Sequence, residues 1–216
     1  MTFSRIFLDL DGTISDSKPG IIASIVYALK QYGIETDPSR MDMLIGPPLR
    51  ESFKKHYGFT DADVDGVIYK FRERYSVKGL LELSLYPGIK ETLAALYEAG
   101  KTLFLATSKE EEYARQILDN TGLASFFTYI GGADLKSGRL SKAAVLRYVC
   151  ETNGITDMSE CVMVGDREHD VEGAHELGMP CIGVAYGYGG RGELEQTGAD
   201  IIVPTVDDLQ QVLLAN

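Results

Sequence analysis

Residues 9–13 read Asp-Leu-Asp-Gly-Thr and follow directly on the bulky apolar run Ile6-Phe7-Leu8. Carboxylates are costly at the end of a buried strand unless something offsets their charge. Asp9 and Asp11 are not alone. Asp166 and Asp170 follow the apolar run Cys161–Val164, Thr107 and Ser108 follow Leu103–Ala106, and Lys142 opens an amphipathic stretch. Asp and backbone oxygens without a His/Cys cluster suit a hard cation, Mg²⁺ above all. Such a cation would offset the repulsion among Asp9, Asp11 and Asp166 and hold a phosphate oxygen against a carboxylate nucleophile. A carboxylate can also accept a phosphoryl group covalently. Gly12 would let the backbone turn sharply beside a bound anion. A helix predicted over 108–120 would give Thr107 and Ser108 a helix N-terminus, whose free N–H groups receive phosphate oxygens. Ser108 with Glu111 reads as a capping box for that helix. Lys142 would supply the remaining positive charge.

Chemistry of this kind needs elements that bring distant residues together. Short apolar runs at 3–9, 102–106, 127–130, 161–164, 181–184 and 201–203 predict strands. Helical periodicity fills 88–99, 108–120, 141–153, 168–177 and 205–214. Gly100, Gly122, Gly154 and Gly178 stand where helix C-caps would fall. The alternation predicts an α/β fold, a doubly wound, Rossmann-like parallel sheet covered on both faces. Ligands of open α/β sheets bind outside the C-terminal strand ends, and every group singled out above falls at such an end. Residues 17–79 break the rhythm. They read as nearly all helix, at 18–32, 40–45, 49–57 and 61–78, with Val64, Val67, Ile68 and Phe71 on one face. The expected organisation is a core of 1–16 and 80–216 with an inserted helical domain, 17–79, hinged at 14–17 and 79–86.

With 21 Lys and Arg against 32 Asp and Glu, the net charge is −11. That balance speaks against a nucleic acid polymer as partner. A small phosphorylated compound remains compatible, since it needs only a few local cations or a metal. No stretch approaches membrane-spanning length. The three cysteines are odd in number, and Cys161 and Cys181 lie in apolar runs. Buried thiols in a reducing compartment, and hence a cytoplasmic protein, are expected.

Asp-Leu-Asp-Gly-Thr (9–13), Leu-Ala-Thr-Ser-Lys (105–109), Leu-Ser-Lys-Ala-Ala-Val (140–145) and Val-Gly-Asp-Arg-Glu-His-Asp (164–170) together resemble, in order, the four motifs of the haloacid dehalogenase superfamily. The helical insertion resembles that family's C1-type cap, as in phosphoglycolate phosphatases. Residues 45–53, with 106–109, 165–170 and Gly187-Tyr188-Gly189, are similar to the bacterial 5′-nucleotidase branch. The resemblance implies that Asp9 is the nucleophile and Asp11 the general acid/base. Thr107 would bind phosphate, and Lys142 would steady nucleophile and phosphate. Asp9, the carbonyl of Asp11, and Asp166 would hold Mg²⁺, with Asp170 as ligand or as partner to a ligand. Family members often have Asn where Ser108 stands. The implied activity is Mg²⁺-dependent hydrolysis of small phosphomonoesters through an aspartyl-phosphate, with 5′-nucleotidase or phosphoglycolate phosphatase first. A phosphoglucomutase-like isomerase and a pyrophosphatase are the alternatives.

Some of these residues have plainer readings. Lys136 rivals Lys142, and Asp170 could simply orient its loop. Glu110–Glu112 reads as a solvated first turn, and His56, His169 and His175 lack ligand spacing. Arg50, after Gly46-Pro47-Pro48, is equally a substrate contact or a solvated helix residue.

Overall fold

A computed structural model describes residues 3–41, 44–45 and 49–215. The chain divides into two compact units, Met1–Asp16 with Leu85–Asn216, and Ser17–Ser84. The second crossing thus falls at 84/85 rather than 79/80.

The first unit is built on a six-stranded parallel sheet. Its strands are β1 (Arg5–Leu8), β4 (Thr102–Glu110), β5 (Phe127–Ala133), β6 (Cys161–Gly165), β7 (Cys181–Val184) and β8 (Ile201–Val203), in the order β5-β4-β1-β6-β7-β8. Helices α4 (Ile89–Glu98), α5 (Glu111–Thr121), α6 (Lys142–Thr152), α7 (Glu168–Glu176), α8 (Gly190–Thr197) and α9 (Val206–Ala215) flank it. Two short strands, β2 (Ser15–Asp16) and β3 (Ser84–Leu85), pair as a ribbon where the chain leaves and re-enters this unit.

β1 is central, so both its faces must be apolar. Ile6, Phe7 and Leu8 are fully buried, each contributing roughly 1.5–3 kcal/mol. Phe7 stacks on Phe104 of β4 at 4.8 Å between ring centroids. The register then matters for chemistry. Leu8 lies level with Leu105 on one side and Val164 on the other. Asp9 and Asp166 therefore leave the sheet along one edge, the edge towards which Thr107 of β4 also lies. That edge is also where the strand order reverses, the usual ligand position in such sheets.

One predicted boundary fails here. β4 runs on to Glu110, and α5 starts only at Glu111 rather than at 108. Residues 107–110 keep pairing with β5, Thr107 with Gly132 and Glu110 with Ala133, through a register shift between them. Gly132 makes this possible, because a Cβ there would lie 2.6 Å from the Glu111 Cα. The Ser108–Glu111 capping box does not form.

The helical unit contains α1 (Lys18–Lys30), α2 (Leu49–Tyr57) and α3 (Val64–Tyr75). A 3₁₀ turn occupies Pro38–Arg40, ahead of the helix predicted at 40–45. The rest of that prediction falls partly on residues 42–43, outside the described residues. The loop predicted at Gly46-Pro47-Pro48 is outside them too. α1 approaches the 3₁₀ turn Gly79–Leu81 so closely that a Cβ at Gly20 would meet the Gly79 carbonyl oxygen. Arg74 ties the same region together, donating to both Glu82 carboxylate oxygens at 2.8 and 2.9 Å and to Ser24 Oγ at 3.1 Å.

Candidate active site

Asp9 follows β1, and its N–H donates to the Val164 carbonyl at 2.9 Å, which locks it to the strand beside it. Its side chain is buried. Lys142 reaches the same place from α6. Ser141 caps that helix, its Oγ accepting from the Ala144 N–H, which fixes where the lysine stem begins. Lys142 Nζ lies 2.8 Å from the Ala106 carbonyl, 2.9 Å from Asp9 Oδ1 and 2.8 Å from Asp170 Oδ1. An ammonium has three protons, and three acceptors surround it. Burial alone would disfavour its charge, but the Asp170 and Asp9 carboxylates outweigh burial and push its pKa above the ordinary lysine value. Lys136 is exposed.

Asp166 emerges fully buried from the end of β6. Its Oδ2 accepts the Tyr188 N–H at 2.7 Å, and its Oδ1 accepts from Thr13 Oγ1 at 3.4 Å. Its space exists because two residues lack side chains. Gly12, at φ +83°, has no room for a Cβ, which would lie 2.2 Å from Asp166 Oδ2; at Gly187 a Cβ would lie 2.2 Å from that of Asp166. Burial, with the Asp170 and Asp9 charges, pushes the Asp166 carboxyl well above the usual carboxylate range. Asp170 accepts the N–H groups of Asp166 and Arg167, both at 3.1 Å, with Oδ2. Burial raises its pKa too, against the opposing pull of Lys142.

Asp9, Asp166 and Asp170 present carboxylate oxygens that all lie within 4.8 Å of one another. Asp9 Oδ1 and Asp170 Oδ1 sit at ion-pair distance from Lys142 yet lack the alignment of a hydrogen bond, and both are buried. Buried carboxylate oxygens left without a hydrogen bond, in an oxygen-only set, fit a hard dication. Asp170 differs from the other two. Both its oxygens face protein donors, so it orients the 165–167 turn and Lys142 whatever else it does.

Thr107 is buried, and its Oγ1 accepts the Lys109 N–H at 3.2 Å. Because Thr107 and Ser108 lie in β4 and not at the start of a helix, no helix N-terminus stands behind either residue. Ser108 is exposed. Arg50 lies in α2 and pairs with Asp65 of α3, inside the helical unit.

Two contributors escaped sequence reasoning. Lys109 Nζ lies 2.7 Å from Asp11 Oδ2; a lysine closing a buried strand's apolar run was the available signal. The segment 185–189 holds Asp166 through the Tyr188 N–H, while its Tyr186 and Tyr188 hydroxyls donate to the Thr13 carbonyl and Asp16 Oδ1, both at 3.0 Å. Its Gly-Tyr-Gly was visible in the sequence, but nothing local gave it a task.

The comparisons with known proteins agree with this geometry. Residues 6–184 match the family model for haloacid dehalogenase-like hydrolases. A 5′-nucleotidase from Pseudomonas aeruginosa is 40% identical over 195 residues, covering 90% of this chain and 88% of that one. A tyrosine-protein kinase, PtkA, from Mycobacterium tuberculosis is 34% identical over 212 residues, 96% of this chain and 72% of the relative. The crystal structure of a predicted phosphatase from Clostridium acetobutylicum superimposes with a TM-score of 0.93 at 37% identity, covering 100% of both chains. A sheet order that brings Asp9, Asp166 and Asp170 to one edge, and a family model spanning most of the strands that do so, lead to one conclusion: the chain belongs to the haloacid dehalogenase-like hydrolase family.

Proposed function

We propose that the protein is a Mg²⁺-dependent phosphatase of small phosphomonoesters, with Asp9 as nucleophile. The observation that carries this reading is the juxtaposition of Asp9, a buried ammonium and two further buried carboxylates at the strand-order reversal. Asp9 attacks phosphorus, forming an acyl phosphate as the ester P–O bond breaks, and Asp11 gives its proton to the departing alkoxide. Asp11 then takes a proton from water, which attacks phosphorus and breaks the bond to Asp9, releasing inorganic phosphate. Lys142 keeps Asp9 aimed and neutralises charge on the phosphoryl oxygens, as preorganised cations do in such transfers. Thr107 offers its hydroxyl to the same group. Asp9, Asp166 and the Asp11 carbonyl would hold Mg²⁺, which supplies charge neutralisation and a fixed seat for one phosphoryl oxygen. Asp170 holds the turn and the lysine in place.

Nucleoside 5′-monophosphates are the first substrates to test, supported by the relative named a 5′-nucleotidase, and phosphoglycolate is the second. We assign substrate selection to the helical unit, where the sheet unit's motifs fix nothing, and give Arg50 a place in it. Among the described residues no helix is long and apolar enough to cross a membrane. Three buried free cysteines suit the cytoplasm. Phosphate release from a panel of esters, with and without Mg²⁺, tests the reading. Turnover should require the metal and favour nucleoside 5′-monophosphates. Failure to release phosphate from any monoester would overturn it. Transfer of phosphate from ATP to protein tyrosines, with no ester hydrolysis, would instead align the chain with the kinase-named relative.

A further inference from the structure

The proposed reaction asks two carboxylates that are neighbours in sequence to do different work. Asp9 must sit with the metal ligands. Asp11 must stay out of that set, because a carboxylate bound to a dication cannot pass a proton to a leaving group. The structure separates them. Asp9, Asp166 and Asp170 form the cluster of buried carboxylates, and the Asp11 carboxylate is not in it. The Asp11 Oδ2 atom lies 2.7 Å from Lys109 Nζ instead, and the Lys109 side chain is only 7% exposed against 23% for Asp11. Asp11 Oδ1 is buried without a hydrogen bond among the described residues. The ammonium contact thus sets the direction of this side chain.

The chain has gone out of its way to deliver Lys109. β4 outlasts its predicted end, and its pairing with β5 shifts register between Thr107 and Glu110, where Lys109 lies. The Lys109 N–H is fastened to the Thr107 hydroxyl at 3.2 Å. One strand extension therefore places both the proposed phosphate-binding threonine and the lysine that faces Asp11. A buried ammonium at this distance holds the Asp11 carboxylate, since removing it leaves that acid without its cation.

We propose that Lys109 is a positioning residue for the phosphatase reaction, holding the Asp11 carboxylate away from the metal-binding carboxylates so that it remains available for proton transfer to the leaving group. Without Lys109, Asp11 is drawn towards the dication as an additional ligand. This inference rests on the phosphatase reading, but its main readout needs no substrate.

The test is a two-by-two cycle of Lys109→Met and Asp11→Asn, with Mn²⁺ affinity followed by electron paramagnetic resonance and folding checked by circular dichroism. Lys109→Met should bind Mn²⁺ several-fold more tightly than wild type. The double variant should lose that gain, because no mobile carboxylate remains. A gain that persists undiminished in the double variant is plain removal of a positive charge and overturns the proposal, as does no gain at all. Kinetics provide the second arm. Lys109→Met should lower kcat for an alkyl phosphate by about 100-fold, the low end of a proton-transfer contribution, and for p-nitrophenyl phosphate by much less, since that leaving group needs little protonation. Lys109→Arg should restore most of the difference, and equal losses on both esters would also overturn the proposal. Should Lys109→Met fail to fold, Lys109→Gln carries the same cycle. Absence of Mn²⁺ binding by wild type, or binding unaffected by Asp166→Asn, would sink the underlying metal site and this inference with it. Normal binding with an additive cycle would sink only the inference.

Discussion

The sheet unit carries 11 Lys and Arg against 23 Asp and Glu, whereas the helical unit carries 10 against 9. Four of the sheet unit's acids gather around the site with two ammonium groups: Lys142 pairs with Asp9 and Asp170, Lys109 pairs with Asp11, and Asp166 completes the carboxylate cluster. That leaves a local deficit which a dication would cancel. The helical unit has no such imbalance. Its ion pairs, Arg74–Glu82, Lys54–Asp61, Lys70–Glu73 and Arg50–Asp65 among them, stay within the unit. One region thus keeps its charges unbalanced around a reaction, and the other spends them on its own architecture. Chemistry should be fragile in the first and adjustable in the second.

The largest expected effect is at Asp9. Asp9→Asn keeps the shape and removes the attacking charge, so kcat should fall about 10⁴-fold or more while circular dichroism stays native. Retention of a tenth of the wild-type rate would remove Asp9 from the nucleophile's role. Next is Lys142→Ala, which leaves the buried Asp9 and Asp170 without their shared cation. Breaking a buried pair this way costs roughly 3–5 kcal/mol, so both stability and rate should drop, with unfolding in urea as the measure. A loss of rate alone would mean the carboxylates relax without it.

The third prediction concerns pH. Asp166 and Asp170 have folded-state pKa values above the ordinary 3.8. Between 3.8 and the raised values the folded protein binds more protons than the unfolded chain, so without metal their contribution to stability is lost as pH rises through that window. Mg²⁺ should reverse the trend, raising Tm more at pH 8 than at pH 5.5, where protons compete for the same oxygens. Asp166→Asn should flatten both slopes, as differential scanning fluorimetry would record. A metal effect on Tm that is independent of pH would count against carboxylate ligation.

The smallest effect belongs to the helical unit. Arg50→Ala should raise KM for a nucleoside 5′-monophosphate several-fold and leave p-nitrophenyl phosphate almost unchanged. If neither substrate responds, Arg50 serves only its pair with Asp65, and the comparison sharpens further.

Legibility followed the same division. Apolar runs marked all six strands of the sheet, most plainly the central β1 and β6, because a strand buried on both faces announces itself locally. The carboxylates and Gly12 were legible for the opposite reason, as polar or flexible residues directly after apolar runs, and Lys142 as the lysine that opens a helix. The end of β4 was not. Ser108 with Glu111 carries an ordinary helix-start signal, and what overrides it is pairing of Thr107 and Glu110 with Gly132 and Ala133, some two dozen residues away. α8 hid because its first turn is Gly190-Arg191-Gly192, poor helix sequence that local propensity discounts. Lys109 could be seen, but its partner depended on that misread strand. In the helical unit, the close approach of Gly20 to Gly79 is equally non-local.

The central place of β1 has a consequence for how the chain is made. Arg5–Leu8 leaves the ribosome well before its neighbours on the two sides, β4 at 102–105 and β6 at 161–164. At about 5–20 residues per second, roughly 8–30 s separate the synthesis of β1 from that of its second neighbour. Residues 17–84 are complete well before then. The strand that carries Asp9 is therefore the one whose apolar edges stay bare longest on a growing chain. Conditions that speed translation or shield nascent apolar segments should raise the soluble yield of this protein without altering a single native contact.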